Sequence, residues 1–188
     1  LTMSAICLND PMRDDKYELV TKLFDRMYVM ANLTSSYRSN EFANSVLELG
    51  RQIRNKSIPE IHEAFDKSLV SYVSKQLNRP NIKSLDDVFK YDLFSGTGYI
   101  NLGKRFLRYF FARIDHLISE QSNLPTSSYY GLIRQSTGKE VHHVEHILAN
   151  DSNGVNRALF KDEEDFIHHR NRLGGLVLLK GKDNQSSG

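Results

Sequence analysis

The sequence predicts a mainly α-helical protein that carries two short β-strands near its C-terminal end. Apolar residues recur at intervals of three and four over most of residues 12–120, which is typical of helices with one buried face. Residues 141–148 and 175–180 are instead short, lack proline and are rich in valine, leucine and isoleucine. That composition is typical of strands.

The composition limits the class of protein. The chain has 188 residues, 39% hydrophobic and 26% charged, enough for one good core or for a main domain with a small appendage. A net charge of +2 and a pI near 8.6 permit nucleic-acid binding without requiring it. The single cysteine, Cys7, excludes an internal disulfide framework and a cysteine-based zinc site, and it is consistent with the cytoplasm. No apolar run approaches the length of a membrane span, so we expect no membrane partner.

Five helices are predicted in the first part of the chain. They cover approximately residues 12–33, 41–55, 60–77, 84–94 and 99–120. Ser39 or Asn40 is a candidate N-cap for the second helix, and Ser84 with Asp87 resembles a capping box that opens the fourth. Residues 1–11 have no strong pattern. The Gly-Thr-Gly sequence at 96–98 is interpreted as a linker, because it has too few glycines and no lysine to cradle a phosphate.

The remaining elements are shorter. We predict a helix at 129–136, a strand at 139–148, a charged helix at 161–171, a second strand at 175–180 and a last helix from about Asp183. That last helix should run beyond Gly188. Together with a first residue that is leucine rather than methionine, this indicates a fragment of a longer protein.

The strand at 139–148 carries the residues best suited to chemistry. Glu145 offers a hard oxygen ligand for Mg²⁺ or Mn²⁺, and His146, with an ordinary pKa of about 6.5, can take a proton from water. Neighbours in a regular strand point to opposite faces, so the strand has to twist, bulge or end for the two to act together. The residues alone leave open that His142, His143 and His146 are purely structural.

The sequence around these residues also resembles that of a known protein family. Residues 144–148 read Val-Glu-His-Ile-Leu, residues 173–179 read Leu-Gly-Gly-Leu-Val-Leu-Leu, and Asn184 follows. This series resembles the C-terminal HNH-like nuclease domain of GmrSD-type, modification-dependent restriction enzymes. Residues 106–114 are similar to the helix that precedes the nuclease motif there, so the resemblance covers residues 84–188. It implies a helical scaffold at 1–136 and an incomplete ββα-metal unit at 137–188.

The resemblance implies a role for each matching residue. Glu145 falls on the acidic metal ligand, His146 on the general base that activates water against a phosphodiester, and Asn184 on the second metal ligand. The implied cofactor is Mg²⁺ or Mn²⁺. Three basic residues near the second strand are candidates for DNA contact: Arg172, Lys180 and Lys182.

Two positions depart from the family pattern. The proline after Ile-Leu is Ala149 here, and the asparagine of Gly-Asn-Leu is Gly175. Because that asparagine helps to hold the catalytic histidine, its loss can cost about 10–100-fold in function. Asn171 and His143 are the candidates to replace it.

The predicted function is that of a metal-dependent DNA endonuclease or nickase in a cytoplasmic antiphage restriction system. It would act on plain or modified DNA, with an N-terminal nucleotide-hydrolysing domain of the same longer protein as its partner.

One alternative is a catalytically degenerate DNA-binding or protein-interaction module, in which Gly175→Asn should restore cleavage. Another is a helical interaction domain, in which alanine at Glu145 or His146 would change neither metal affinity nor cleavage. A histidine-based zinc hydrolase lacks the His-Glu-x-x-His spacing.

Overall fold

The computed structural model of the chain describes residues 1–125, 129–133, 142–150 and 155–180. Within them the fold is mainly helical, with a two-stranded antiparallel hairpin near the C-terminal end, as the sequence predicts. The chain divides into two compact units between Ser95 and Gly96. The predicted boundary between residues 136 and 137 lies outside the described residues and stays a prediction.

Residues 1–95, all of them described, form the first unit. Its helices are α1 (Thr2–Ala5), α2 (Arg13–Leu33), α3 (Ser39–Gln52), α4 (Ile58–Leu77) and α5 (Leu85–Val88), and a short 3₁₀ turn covers Tyr91–Leu93. The long helices α2 and α4 pack against each other, α3 packs on α4, and α1 contacts α2 and α3. The short α1 lies where the sequence has no strong pattern and was not predicted.

The core of this unit is built from the predicted apolar faces. Val20 and Met27 on α2, Ile61 and Phe65 on α4, and Leu49 on α3 are all 0–1% exposed. Removing such a side chain from water contributes about 1.5–3 kcal/mol, so the contacts between α2, α3 and α4 hold the unit together. Met27 is therefore core rather than part of a binding surface.

The capping box at the start of α5 is confirmed. The Asp87 backbone amide donates to Ser84 Oγ at 3.2 Å, and the Ser84 amide donates to the Asp87 carboxylate at 3.1 Å. Two backbone donors that the helix leaves unpaired are thereby satisfied.

The predicted N-cap of α3 is wrong. Ser39 is the first helical residue, Asn40 lies inside the helix, and the N-cap is Arg38, which is extended. The Arg38 backbone amide donates to the Tyr72 hydroxyl of α4 at 3.0 Å. A contact between helices, which the local sequence does not encode, thus decides where α3 begins.

Residues 96–188 form the second unit. The described part contains α6 (Lys104–Gln121), α7 (Tyr129–Ile133), β1 (His142–His146), α8 (Glu163–Asn171) and β2 (Leu176–Lys180), with 3₁₀ turns at Val155–Leu159 and Leu173–Gly175. α6 packs against α7 and against both strands. The last helix, expected from about Asp183, falls outside the described residues.

α6 starts later than predicted. The sequence suggested a start near Tyr99, but Leu102 donates its amide to the Gly98 carbonyl at 3.0 Å in a turn, and Gly103 is extended. Phe106 is buried, whereas Leu117, an apolar residue later in the same helix, is 57% exposed. No helix in the described residues has both the length and the apolar character that crossing a bilayer requires.

The hairpin has a defined register. His142 pairs with Lys180 and His146 with Leu176, in antiparallel orientation. The two strands are connected through α8 rather than through a tight turn. Their register therefore depends on how α8 and the adjoining segments pack.

The start of α4 carries a charged cap. The Glu60 carboxylate accepts from the Ser57 amide at 2.9 Å, from the Ser57 hydroxyl at 2.7 Å and from Lys56 Nζ at 2.8 Å. These bonds, with that from Lys56 the largest cause, lower the pKa of Glu60 from 4.5 to about 2. A carboxylate with a depressed pKa stabilises the fold above its ordinary pKa, and this contribution is lost as the pH falls towards the folded value.

We therefore predict that Glu60→Gln lowers the free energy of unfolding at pH 7 and that the difference from wild type shrinks as the pH falls from about 4.5 towards 2. Urea unfolding at pH 7 and pH 3 measures it. The control is Glu63→Gln on the same helix, which removes an exposed ion pair with Lys67 and should have a small effect at both pH values. A Glu60→Gln difference that is independent of pH would contradict the prediction.

Candidate active site

His146 is the last residue of β1. The next backbone amide, that of Ile147, donates to the Gly175 carbonyl at 2.9 Å beyond the last strand pair. β1 ends at His146, but this bond continues the pairing, so strand alternation still directs Glu145 and His146 to opposite sides. Their joint action at one reaction centre therefore stays a prediction.

The end of α8 holds the His146 imidazole in place. Nε2 of His146 lies 3.0 Å from Oδ1 of Asn171, the last residue of α8. The Asn171 amide nitrogen donates to the Ile167 carbonyl one turn earlier at 2.8 Å, which fixes the amide with its oxygen towards the imidazole. Because Oδ1 can only accept, Nε2 must carry the proton. Nδ1 of the neutral ring is left with the lone pair.

The surroundings favour the neutral form of this histidine. Burial lowers the pKa of His146 below 6.5, and the positive charge of Arg170 lowers it further. The hydrogen bond to Asn171 and the negative charge of Glu145 act in the opposite direction and are outweighed. At neutral pH the imidazole is therefore able to accept a proton.

A tyrosine covers the same imidazole. The ring centroids of Tyr99 and His146 are 4.5 Å apart, at an angle of 58°. Tyr99 is anchored by its backbone amide, which donates to the Asn171 carbonyl at 2.8 Å, and its neighbour Gly98 forms a bridge with Arg172. A Cβ on Gly98 would lie 1.9 Å from the Asn171 carbonyl oxygen, so only glycine allows this approach.

The other predicted site residues are not all near His146, because Lys180 pairs with His142 at the opposite end of the hairpin. Glu145 is half-buried beside His146, and His143 is exposed and shares the Glu145 side of β1 by strand alternation. Arg172 and Lys180 are half-buried, and Arg172 Nε is shielded from solvent without a hydrogen-bond partner among the described residues. Asn184 and Lys182 are outside the described residues, so their place in the site stays a prediction.

Glu145 is the candidate metal ligand among the described residues of this site. Its carboxylate is a suitable ligand for Mg²⁺ or Mn²⁺, which prefer oxygen donors. Across residues 1–125, 129–133, 142–150 and 155–180, no three or more histidine, cysteine, aspartate or glutamate side chains come together as a metal site. This donor set excludes a closed structural zinc site in that part of the chain, and a Mg²⁺ or Mn²⁺ ion bound through one carboxylate and an amide stays a prediction.

Comparison with known proteins places this arrangement in a family. The family model described as "GmrSD restriction endonucleases, C-terminal domain" matches residues 84–188, more than half of the chain. The chain belongs to the GmrSD C-terminal domain family. No curated protein and no solved structure matches it. Membership makes the matched region a restriction-endonuclease-type domain, for which DNA is the implied substrate.

The resemblance predicts an asparagine where this chain has Gly175, and the structure leaves little room for a side chain there. A Cβ at position 175 would lie 2.6 Å from the Arg170 carbonyl oxygen and 2.8 Å from that of His169. Both atoms are backbone, so a side chain could enter only if α8 moved. The amide that contacts His146 comes instead from Asn171, one of the two residues considered as replacements.

Gly98 and Tyr99 are the site residues that sequence reasoning missed. The Gly-Thr-Gly segment was interpreted as a linker and Tyr99 as the start of α6. Their contact with the 146–172 region joins parts of the chain that are far apart in sequence, and no local spacing signals it. Thr97, which is only 5% exposed, offered no signal either, since threonine is common in loops.

We predict that Gly175→Asn destabilises the second unit by about 1–3 kcal/mol, because the new Cβ overlaps the backbone of α8. It should not raise any DNA cleavage, contrary to what the degenerate-module alternative requires. Thermal unfolding and plasmid cleavage measure the two effects. Gly174→Asn is the matched control, because a Cβ at Gly174 meets no atom within 4 Å. Equal stability of the two variants would contradict the prediction, because it would show that α8 can shift without a loss of free energy of unfolding.

A second prediction concerns the proton on His146. In ¹⁵N-labelled protein near neutral pH, the imidazole ¹⁵N shifts should report protonated Nε2 and unprotonated Nδ1. Asn171→Leu should give a mixture of tautomers, because no acceptor then selects Nε2–H. Asn171→Asp is the control, because it keeps an acceptor oxygen. Wild-type protein with its proton on Nδ1 would refute the assignment.

Proposed function

We propose that the second unit is an HNH-like DNA endonuclease or nickase that depends on a divalent metal, with His146 as the general base. The observation that carries this proposal is the His146–Asn171 hydrogen bond. It selects the imidazole tautomer whose Nδ1 lone pair can receive a proton. The Tyr99 ring, from a separate segment of the chain, packs against the same imidazole.

The proton transfer follows from this geometry. Nδ1 of His146 takes a proton from water, and the water oxygen forms a bond to phosphorus while the bond from phosphorus to the leaving oxygen breaks. Burial keeps the imidazole unprotonated beforehand. The Tyr99 ring restricts the imidazole on one face, which reduces the conformations that the base can sample.

The cofactor in this proposal is Mg²⁺ or Mn²⁺, held by Glu145 and Asn184. When bound, the metal would stabilise charge on the pentacoordinate phosphate and on the leaving oxygen. Glu145 has a second effect that needs no metal, because its negative charge favours the imidazolium that forms when His146 accepts a proton. The adjacent positions of the two residues allow both effects.

We further propose that the substrate is plain or modified DNA in the cytoplasm, contacted by Arg172, Lys180 and Lys182. An N-terminal nucleotide-hydrolysing domain of the same longer protein would regulate the cleavage. Arg172 supports the substrate proposal. Its positive charge directly follows Asn171 in the chain, and its side chain is only half-buried, so part of it is open to a phosphate. Salt-dependent binding would report such phosphate contacts.

The test is cleavage of supercoiled plasmid, unmodified and modified, by the full chain. We expect nicking that requires Mg²⁺ or Mn²⁺ and that falls at least about 100-fold in His146→Ala, since the general base is lost. His168→Ala is the matched control, an exposed histidine of α8 that should leave the rate unchanged. Cleavage by His146→Ala at the wild-type rate would exclude His146 as the base. No cleavage by folded wild-type protein would favour a DNA-binding or interaction module.

A further inference from the structure

The last turn of α8 carries a second side chain that is anchored beside His146. Arg170 is half-buried, and its Nε donates to the Leu148 carbonyl at 3.0 Å. Leu148 lies two residues after His146, and Arg170 immediately precedes Asn171, which holds the imidazole. The guanidinium is thus hydrogen-bonded to the segment that directly follows Glu145 and His146.

The positive charge of Arg170 has no counter-charge in the part of the chain that the structure describes. There its side chain has the Leu148 carbonyl as hydrogen-bond acceptor, and no carboxylate forms an ion pair with it. Arg157 in the same unit is a contrast. It pairs with Glu163, bonds the Asn150 side chain at 3.1 Å and lies 4.4 Å above the Phe166 ring. Arg170 stands in the last turn of α8, where the helix dipole favours a cation, and its partly exposed charge is left to solvent or to a bound anion.

The orientation of Arg170 suits one kind of ligand. With Nε bound to a carbonyl, the two terminal nitrogens keep four N–H donors in one plane, a geometry that matches two oxygens of a phosphate. A lysine would supply a point charge without this fixed direction. The neighbouring imidazole already experiences the charge, because Arg170 contributes to lowering the pKa of His146.

We propose that Arg170 binds the phosphodiester on which His146 acts, through its terminal nitrogens and two non-bridging phosphate oxygens. This inference rests on the proposed nuclease function. It adds a substrate-binding residue to the candidates around β2 and assigns α8 two tasks. Asn171 orients the base, and Arg170 orients the phosphate that the activated water attacks.

The test begins with binding in EDTA, where no metal can act and no cleavage can occur. Wild-type full chain, Arg170→Gln, Arg170→Lys and Arg13→Gln are titrated with a short fluorescein-labelled DNA duplex across a series of salt concentrations. Arg13 is an exposed arginine of α2, so Arg13→Gln matches the change in net charge. Arg170→Gln should bind about 10-fold more weakly at 0.1 M salt, and its salt slope should fall by about one, because one phosphate contact is lost.

Arg170→Lys keeps the charge but not the planar fork, so it should recover the salt slope and only part of the affinity. The proposal fails if Arg170→Gln binds like Arg13→Gln, or if Arg170→Lys binds as tightly as wild type. Thermal unfolding checks that the variants are folded. A measurement on wild-type protein needs no variant: the ¹⁵N signals of the two terminal nitrogens of Arg170 should shift when DNA is added, and unchanged signals would overturn the proposal.

Cleavage assays then separate this inference from the proposed function. Binding that depends on Arg170 without any metal-dependent cleavage would support the phosphate site and reject the nuclease. Cleavage that requires His146 but proceeds in Arg170→Gln at the wild-type rate would support the nuclease and reject Arg170 as the phosphate-binding residue.

Discussion

The hydrogen bond between His146 and Asn171 is the interaction on which the second unit's candidate site depends. It joins the last residue of β1 to the last residue of α8, so it exists only when the hairpin and the helix are packed in register. Two close backbone approaches make this packing possible. Gly98 lies against the Asn171 carbonyl, and Gly175 lies against the carbonyls of His169 and Arg170. The site therefore requires glycine at positions 98 and 175, because a side chain at either position would overlap the backbone of neighbouring residues.

Much of the fold could be predicted because it follows from local sequence. The long helices of the first unit bury residues spaced three and four apart, and Ser84 with Asp87 forms a cap within four residues. The errors arise where a contact with a residue distant in sequence determines where a helix begins. Tyr72 of α4 bonds the backbone at the start of α3, and Gly98, which begins the turn that delays α6 to Lys104, is bridged to Arg172. Neither Tyr72 nor Arg172 lies within the window that a periodicity covers.

The site could be predicted in part. Glu145 and His146 are adjacent and match a family motif, so the sequence pointed to them directly, and Asn171 was one of two candidates for the support of the imidazole. The choice between Asn171 and His143 required coordinates, because strand alternation separates His143 from His146. Tyr99 packs on the imidazole and is anchored at the Asn171 carbonyl, and Arg170 is bonded to the Leu148 carbonyl two residues after His146. Such anchors have no fixed sequence spacing and leave no motif.

The long connection between β1 and β2 has a consequence for the order of folding. A slip of one residue in the hairpin would turn the Glu145 carboxylate, in place of the imidazole, towards the end of α8. A tight turn would prevent such a slip during the first microseconds of folding, but here the loop contains α8 itself. In the native register the Asn171 side chain meets the His146 imidazole, a contact that the slipped register would lack. The register of the hairpin thus depends on a helix that the chain places between its two strands.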